Sequence, residues 1–175
     1  IEPTNKCNLG CTECPTGLQI LTRNTGKLDP ALFNKIIDEI HRKTAYLTLY
    51  FQGEPYMNPK FFDFVKYASS KKMYVTTSTN AHYLTELNCK QTIESGLSKL
   101  IVSLDGTTQE VYESYRRGGN LKMVLDGTKR LMEMKKRMKA KNPQVVMQFI
   151  VFRQNEHQVE DIKRIAKEIG VDHLA

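Results

Sequence analysis

The residues with the clearest chemical potential are three cysteines near the N-terminus, Cys7, Cys11 and Cys14, which follow the spacing CxxxCxxC. Thiolates that close together on one loop can all reach a single metal centre. A [4Fe–4S] cluster has four irons, so three thiolates leave one iron open to a ligand from outside the protein. An open position distinguishes a catalytic metal site from a structural one. The spacing therefore predicts a cluster at which chemistry takes place.

Two other uses of these cysteines stay open, namely a structural zinc loop and solvent-exposed thiols without a metal. A structural zinc ion needs a fourth ligand. Cys89 could supply that ligand, but it lies in a predicted helix far along the chain. The histidines show no metal-ligand spacing to the loop; they are His41, His82, His157 and His173. A cluster is therefore the favoured interpretation.

The cysteine loop, which follows a short predicted N-terminal strand, resembles the cluster motif of the radical S-adenosylmethionine (SAM) superfamily. The family pattern has an aromatic residue before the third cysteine, whereas this chain has Glu13 and so places an acidic group beside the cluster. The run Cys-Asn-Leu-Gly-Cys resembles the branch whose members carry a C-terminal auxiliary-cluster (SPASM) domain.

The resemblance implies two cofactors, a [4Fe–4S] cluster and SAM, and an enzyme of the oxidoreductase or peptide- or protein-modifying class. In this family the reduced cluster cleaves SAM to a 5′-deoxyadenosyl radical, which abstracts hydrogen from a substrate. The substrate stays unknown, with a peptide or protein as a candidate, and the implied electron donor is a flavodoxin or ferredoxin. The alternative function is a non-catalytic iron–sulfur or zinc-binding protein.

Composition places the chain among intracellular globular proteins. It has 175 residues, 40% of them hydrophobic, which is enough for one domain with a core. It lacks a long apolar run and a signal peptide, so we expect no membrane association. Cysteines crowded on a ligand loop fit a reducing cytoplasm. Because the chain starts at Ile1 and stops at Ala175 within a strand pattern, we expect 1–175 to be a radical SAM core domain from a longer protein.

The net charge of +7 comes largely from one predicted helix. Its basic residues are Lys129, Arg130, Lys135, Lys136, Arg137, Lys139 and Lys141. A solvated helix face is the first interpretation, and docking to an acidic partner domain or carrier is the second. Nucleic-acid binding is the least favoured, because no RNA-recognition motif accompanies the patch.

Short apolar runs alternate with amphipathic segments, which is the pattern of βα units around a parallel sheet. Strands are predicted at residues 1–4, 46–52, 73–79, 100–104, 145–152 and 171–174. Helices are predicted between them, with caps at Asp29-Pro30, Asn58-Pro59, Thr85, Thr107 and Asn155. The fold class is therefore α/β. The pattern is similar to the partial TIM barrel of radical SAM enzymes, an open (β/α)6 core, here truncated at about strand 6.

The loops after the strands carry polar groups that a fold does not itself require, and such loops hold the active sites of parallel βα proteins. After the second strand, Gln52-Gly53-Glu54-Pro55 resembles the family segment GGEP, with glutamine in place of its first glycine. A bare backbone at Gly53 and a carboxylate at Glu54 suit a ligand with an ammonium group, here the amine of SAM.

The next two strand ends add hydroxyl, amide and carboxylate groups, and the resemblance implies that these bind the ribose and carboxylate of SAM. They are Ser78, Asn80, Ser103 and Asp105. Arg116 is similar to a family arginine that approaches the SAM carboxylate. Asn80 and Asp105 would serve equally well as turn residues. We expect Glu54 and Ser103 to serve SAM and not the fold.

Overall fold

The computed structural model describes all residues from 1 to 175. Five parallel strands form one sheet in the order of the sequence: β1 (Tyr46–Thr48), β2 (Tyr74–Thr79), β3 (Lys99–Ser103), β4 (Gln144–Gln148) and β5 (His173–Leu174). Strands β1 and β5 do not pair with each other, so the sheet stays open. The predicted α/β class and the open, incomplete barrel are confirmed.

Six α-helices connect the strands: α1 (Pro30–Ile40), α2 (Phe61–Ser70), α3 (Glu86–Glu94), α4 (Gln109–Tyr115), α5 (Leu121–Arg137) and α6 (Val159–Ile169). Two short 3₁₀ helices, Pro55–Met57 and Glu156–Gln158, follow β1 and β4. Helix α1 begins where predicted, because the side chain of Asp29 accepts from the backbone N–H of Leu32. Helix α6 ends at Gly170, whose φ of 76° suits glycine.

The core contains 28 buried hydrophobic residues from the sheet and the helices around it. Val75, Leu100 and Met147 of three adjacent strands are fully buried. On the helices, Phe33 and Phe64 stack with their ring centroids 4.5 Å apart. This packing fixes the strands, and therefore fixes where the residues after each strand lie. None of the helices combines the length and the apolar character needed to cross a lipid bilayer.

The predicted first strand, residues 1–4, is wrong, because this segment does not join the sheet. Pro3 has no backbone N–H to donate, and its carbonyl accepts from the backbone of Leu28 and the side chain of Asn58. The segment nevertheless lies beside β1, because its N-terminal ammonium donates to the carbonyl of Thr48 at 2.8 Å.

Several predicted boundaries differ from the structure. Helix α2 begins at Phe61, and the side chain of Asn58 bonds the backbone N–H of Lys60 before the helix starts. The residue that caps α4 is Thr108 and not Thr107. The predicted strands at 46–52 and 145–152 end earlier, at Thr48 and Gln148.

The basic helix is α5, and most of its charged residues are solvated, as predicted. Lys135 is the exception. Its side chain is only 6% exposed and donates to the carboxylate of Asp172 at 2.6 Å. That carboxylate also accepts from the backbone N–H of Val145, so Lys135 ties α5 to the strands β4 and β5.

Candidate active site

The cysteine loop, residues 5–25, lies against the end of α4 and the turn that follows it. The backbone N–H of Gly10 donates to Arg117 and that of Thr12 to Tyr115, both at 3.0 Å. Asn5 closes the base of the loop, because its side chain donates to the carbonyl of Asn24 and accepts from the N–H of Gly26. Backbone contacts therefore position the cysteines relative to the carboxyl edge of the sheet.

Cys7, Cys11 and Cys14 all line one cavity at that edge. Its volume is about 210 Å³, whereas a single water needs roughly 10–15 Å³ by the same kind of measure. The cavity therefore suits a group much larger than one ion. Polar side chains from the strand ends share its wall, namely Glu54, Ser78, Asn80, Ser103 and Arg116.

The alternative of a structural zinc ion requires a fourth ligand close to the three thiols. No three His, Cys, Asp or Glu side chains are grouped as closely as the ligands of one metal ion. Cys89, the possible fourth ligand, is fully buried in α3, and its thiol faces the carbonyl of Gly127 in α5. Three thiols on one wide cavity wall fit a multi-iron cluster better than a single ion.

The thiols lie in a partly buried environment that already offers N–H groups to sulfur. The backbone N–H of Leu9 donates to the Sγ of Cys7 at 3.5 Å, and the amide of Asn80 approaches the same atom at 3.8 Å. Burial raises the pKa of Cys11 to about 11, while the Arg116 guanidinium opposes that shift. The chain therefore keeps Cys11 as a thiol at neutral pH, and a metal that bound it would release the proton.

Glu54 is the centre of a buried hydrogen-bond network between β1 and β2. Its carboxylate accepts from the hydroxyl of Thr79 at 2.8 Å, the N–H of Asn80 at 2.8 Å and the N–H of Tyr56 at 3.2 Å. Burial raises the pKa of Glu54 to about 7, although these bonds favour the charged form. The expectation that Glu54 has no role in the fold is therefore wrong, because its carboxylate joins the turn after β1 to the end of β2 by buried hydrogen bonds.

Gly53 and Pro55 shape the turn around that carboxylate. The φ of Gly53 is 77°, and a Cβ atom there would lie 2.5 Å from the carbonyl oxygen of Thr4. Glycine is therefore required at residue 53, because a side chain there would collide with the backbone of the segment before the cysteines. Pro55 is buried at the start of the 3₁₀ helix and holds Glu54 in place without lining the cavity.

Ser78, Ser103 and Asn80 lie where the sequence predicts them, at the ends of β2 and β3. The two serine hydroxyls are 3.2 Å apart, and this is the hydrogen bond that each makes. Asn80 donates to the side chain of Asn8 at 2.8 Å, so it connects β2 to the cysteine loop. The serines thus keep hydrogen-bonding capacity for a ligand, whereas much of the capacity of Asn80 is used inside the protein.

Asp105 and Arg116 form a buried ion pair. The guanidinium Nε donates to the Asp105 carboxylate at 2.6 Å, and the second carboxylate oxygen accepts from the N–H of Ile150. Asp105 does not line the cavity, whereas Arg116 does. Contrary to the expectation that Asp105 contacts SAM directly, its side chain is buried off the cavity wall, where it orients Arg116.

The family model for the radical SAM superfamily matches residues 1–166. The chain belongs to the radical SAM superfamily. Its cofactors are those of the family, a [4Fe–4S] cluster and SAM, and the thiols on the cavity wall fit the first of them. Membership of this superfamily, together with the maturase among its relatives, favours an enzyme over a non-catalytic metal protein.

Relatives of this radical SAM chain include a cofactor-modifying protein and a maturase. It is 28% identical over 99% of its length to a tungsten-containing aldehyde ferredoxin oxidoreductase cofactor-modifying protein of Pyrococcus furiosus, and covers 49% of that protein. It is 28% identical over 97% of its length to mycofactocin maturase MftC of Mycobacterium ulcerans, and covers 44% of it. The chain therefore spans about half the length of the curated relatives it matches.

A solved structure with the same fold is Streptococcus suis SuiB bound to S-adenosylmethionine. The TM-score is 0.80 at 15% sequence identity, with 99% of this chain and 38% of SuiB covered. SuiB has also been solved bound to precursor peptide SuiA, where the TM-score to this chain is 0.79. At this identity the likeness shows the radical SAM core fold.

The roles of several residues in and around the radical SAM cavity were not predicted from the sequence. Thr79 supports Glu54, Phe51 is 75% exposed on the cavity wall, and Tyr115 closes the side next to Arg116. Asn155, predicted as a helix cap, instead donates to the carbonyls of Asp105 and Ile150. The position of Phe51 directly before the GGEP-like segment was the one signal available, because the roles of the others depend on distant contacts.

Proposed function

We propose that residues 1–175 form a radical SAM core domain in which Cys7, Cys11 and Cys14 hold the [4Fe–4S] cluster and the strand ends hold SAM. One observation carries the proposal: three thiols and the polar groups of three neighbouring strand ends line the same cavity. An open iron next to those polar groups is what SAM requires as a chelating ligand.

The polar groups are complementary to the charged ends of SAM. Arg116, held by Asp105, offers a planar guanidinium to the SAM carboxylate. The hydroxyls of Ser78 and Ser103 can bond the same carboxylate or the ribose. A SAM ammonium near Glu54 would favour the charged carboxylate and lower its raised pKa, so SAM binding would release a proton when Glu54 starts protonated.

When both cofactors are bound, the cluster supplies an electron and SAM supplies the 5′-deoxyadenosyl radical that removes hydrogen from a substrate. The chain orients SAM and excludes water from the radical, with Phe51 and Tyr115 on the cavity wall. Three large apolar side chains lie exposed after strands at this edge, namely Phe51, Ile150 and Val151. They provide apolar contact area for a substrate beside the cavity.

We propose a peptide or protein as the substrate. The support comes from the relatives, because MftC is a maturase and SuiB binds a precursor peptide. An acidic flavodoxin or ferredoxin would be attracted to a chain of net charge +7 and is the proposed electron donor. A reducing compartment such as the cytoplasm belongs to the proposal, because the cysteines that bind the cluster must stay reduced and not form disulfides.

The experiment is anaerobic reconstitution with iron and sulfide, followed by dithionite and SAM, with detection of 5′-deoxyadenosine. We expect slow formation of 5′-deoxyadenosine by the wild-type chain and none by Cys11→Ser. Added candidate peptides should increase the rate or become modified if the substrate proposal holds. Equal product from the wild-type chain and Cys11→Ser would contradict the proposed function.

A further inference from the structure

Gln52, the residue that departs from the GGEP pattern, contacts the cysteine loop directly through its side chain and indirectly, by way of Glu2, through its backbone. The side-chain oxygen accepts from the hydroxyl of Thr16 at 2.9 Å and from the thiol of Cys14 at 3.4 Å. The backbone N–H donates to Glu2, whose carboxylate holds Arg23 through two bonds of 2.6 and 2.8 Å. Gln52 thus contacts Cys14 and Thr16 directly and is linked to Arg23 through Glu2.

The contact between Gln52 and Cys14 depends on the proton of the thiol. A cysteine that binds iron is a thiolate, which has lost its S–H donor and can only accept. The side-chain oxygen of Gln52 would then lie beside an electron-rich sulfur with no hydrogen between the two atoms. A half-turn of the amide exchanges its oxygen and nitrogen ends, and it presents an N–H to the sulfur instead.

The same half-turn also satisfies Thr16. A hydroxyl donates or accepts equally well, so the Thr16 hydroxyl, which now donates to Gln52, can accept the second amide N–H after the turn. Glycine has no side chain with which to make either bond. Glutamine at this position therefore adds a donor to the third cysteine that glycine would not supply.

We propose that Gln52 is a positioning residue that donates an N–H bond to the sulfur of Cys14 when the cluster is bound and thereby raises the reduction potential of the cluster. The inference rests on the proposed function, because it assumes that Cys14 is a cluster ligand. Hydrogen bonds to cluster sulfurs draw off negative charge, so they stabilise the reduced state more than the oxidised state.

The test measures the midpoint potential by EPR-monitored redox titration of reconstituted chains, after iron and sulfide analysis of each. Gln52→Met keeps the length of the side chain but loses the donor. We expect full iron content and a tenfold smaller ratio of reduced to oxidised cluster at a fixed potential, which is a shift of about 59 mV to more negative values. Thr16→Val leaves the Gln52 amide in place and should keep the wild-type potential.

A wild-type potential in Gln52→Met would overturn the inference. Loss of iron from both Gln52→Met and Thr16→Val would also overturn it, because the contact between Gln52 and Thr16 would then only hold the loop in place. If Gln52→Met alone loses iron, Gln52→Glu decides. It keeps the shape of the side chain but cannot donate when ionised, so an intact cluster with a lower potential supports the inference, whereas loss of the cluster from this variant as well contradicts it. An unchanged potential contradicts it. Absence of a four-iron cluster from the wild-type chain would instead refute the proposed function.

Discussion

The cysteine loop and the strand ends contribute to the site in opposite ways. The loop carries three thiols but little of the core, and two of its large apolar residues, Leu18 and Ile20, are 48% and 63% exposed. The strand-end residues Glu54, Asn80 and Asp105 are at most 5% exposed. Their side chains make hydrogen bonds that join separate segments of the fold. Changes in the loop should therefore affect cofactor binding alone, whereas changes at these three buried strand-end residues should affect both stability and cofactor binding.

The largest expected effect is the loss of the iron–sulfur cluster from the loop without unfolding of the domain. Cys11→Ser should reduce the iron content from about four per chain to almost none, because a serine hydroxyl is a poor cluster ligand. Its urea midpoint before reconstitution should stay close to the wild-type value. The matched control is Cys89→Ala in the core, which should keep full iron content and lose about 1 kcal/mol of stability. The reverse pattern would contradict the comparison.

The next effect concerns the ion pair at the strand ends. Asp105→Asn leaves the guanidinium of Arg116 without its counter-charge, and breaking a buried pair costs about 3 kcal/mol or more. We expect that loss in urea unfolding of the cofactor-free chain, together with weaker SAM binding after reconstitution. The double variant Asp105→Asn/Arg116→Met should lose less than the sum of the two single losses, because the partners act on each other. Additive losses would show that the pair is not coupled.

Glu54→Gln tests the contribution of the strand ends to stability through its dependence on pH. The variant should lose about 2 kcal/mol near pH 5, because its amide nitrogen would face one of the three donors and cannot accept, whereas either oxygen of a carboxyl group, protonated or not, can. The folded pKa of about 7 lies above the unfolded value of 4.5, so the folded wild-type protein binds more protons between these values and becomes less stable as pH rises from 5 to 7.

The amide that Glu54→Gln introduces cannot titrate, so the stability difference between the two proteins should shrink across the same pH range. Urea unfolding at pH 5, 6, 7 and 8 measures it, and other titrating groups such as His82 cancel in the difference. A difference that stays constant with pH would show that Glu54 titrates at its ordinary value.

The smallest expected effect is at Ser103. Its hydroxyl bonds only that of Ser78, so Ser103→Ala should change the stability of the cofactor-free chain by less than about 1 kcal/mol. Its SAM affinity should fall by about 1 kcal/mol, which is roughly fivefold. Ser114→Ala, an exposed serine of α4, is the control and should alter neither quantity. A large loss of stability with normal affinity would assign Ser103 to the fold.

The comparison also explains what sequence could and could not predict. Cys7, Cys11 and Cys14 are recognisable together because their spacing is local, and the strands are recognisable because burial follows a local pattern. The role of Asp105 depends on Ile150, 45 residues away, and that of Glu54 on Thr79, 25 residues away. Such pairings arise only when the sheet forms. The predicted first strand failed for a related reason, because the bonds of Pro3 go to Leu28 and Asn58.

The most direct test of the account is the EPR spectrum of the dithionite-reduced, reconstituted chain during titration with SAM. The account predicts about four irons and four sulfides per chain, and a spectrum that changes with SAM until one equivalent is bound, because three cysteines leave one iron open. An intact four-iron cluster whose spectrum ignores SAM would contradict the open iron beside Glu54, Ser103 and Arg116. A chain that bound one zinc and no sulfide would contradict the cluster itself.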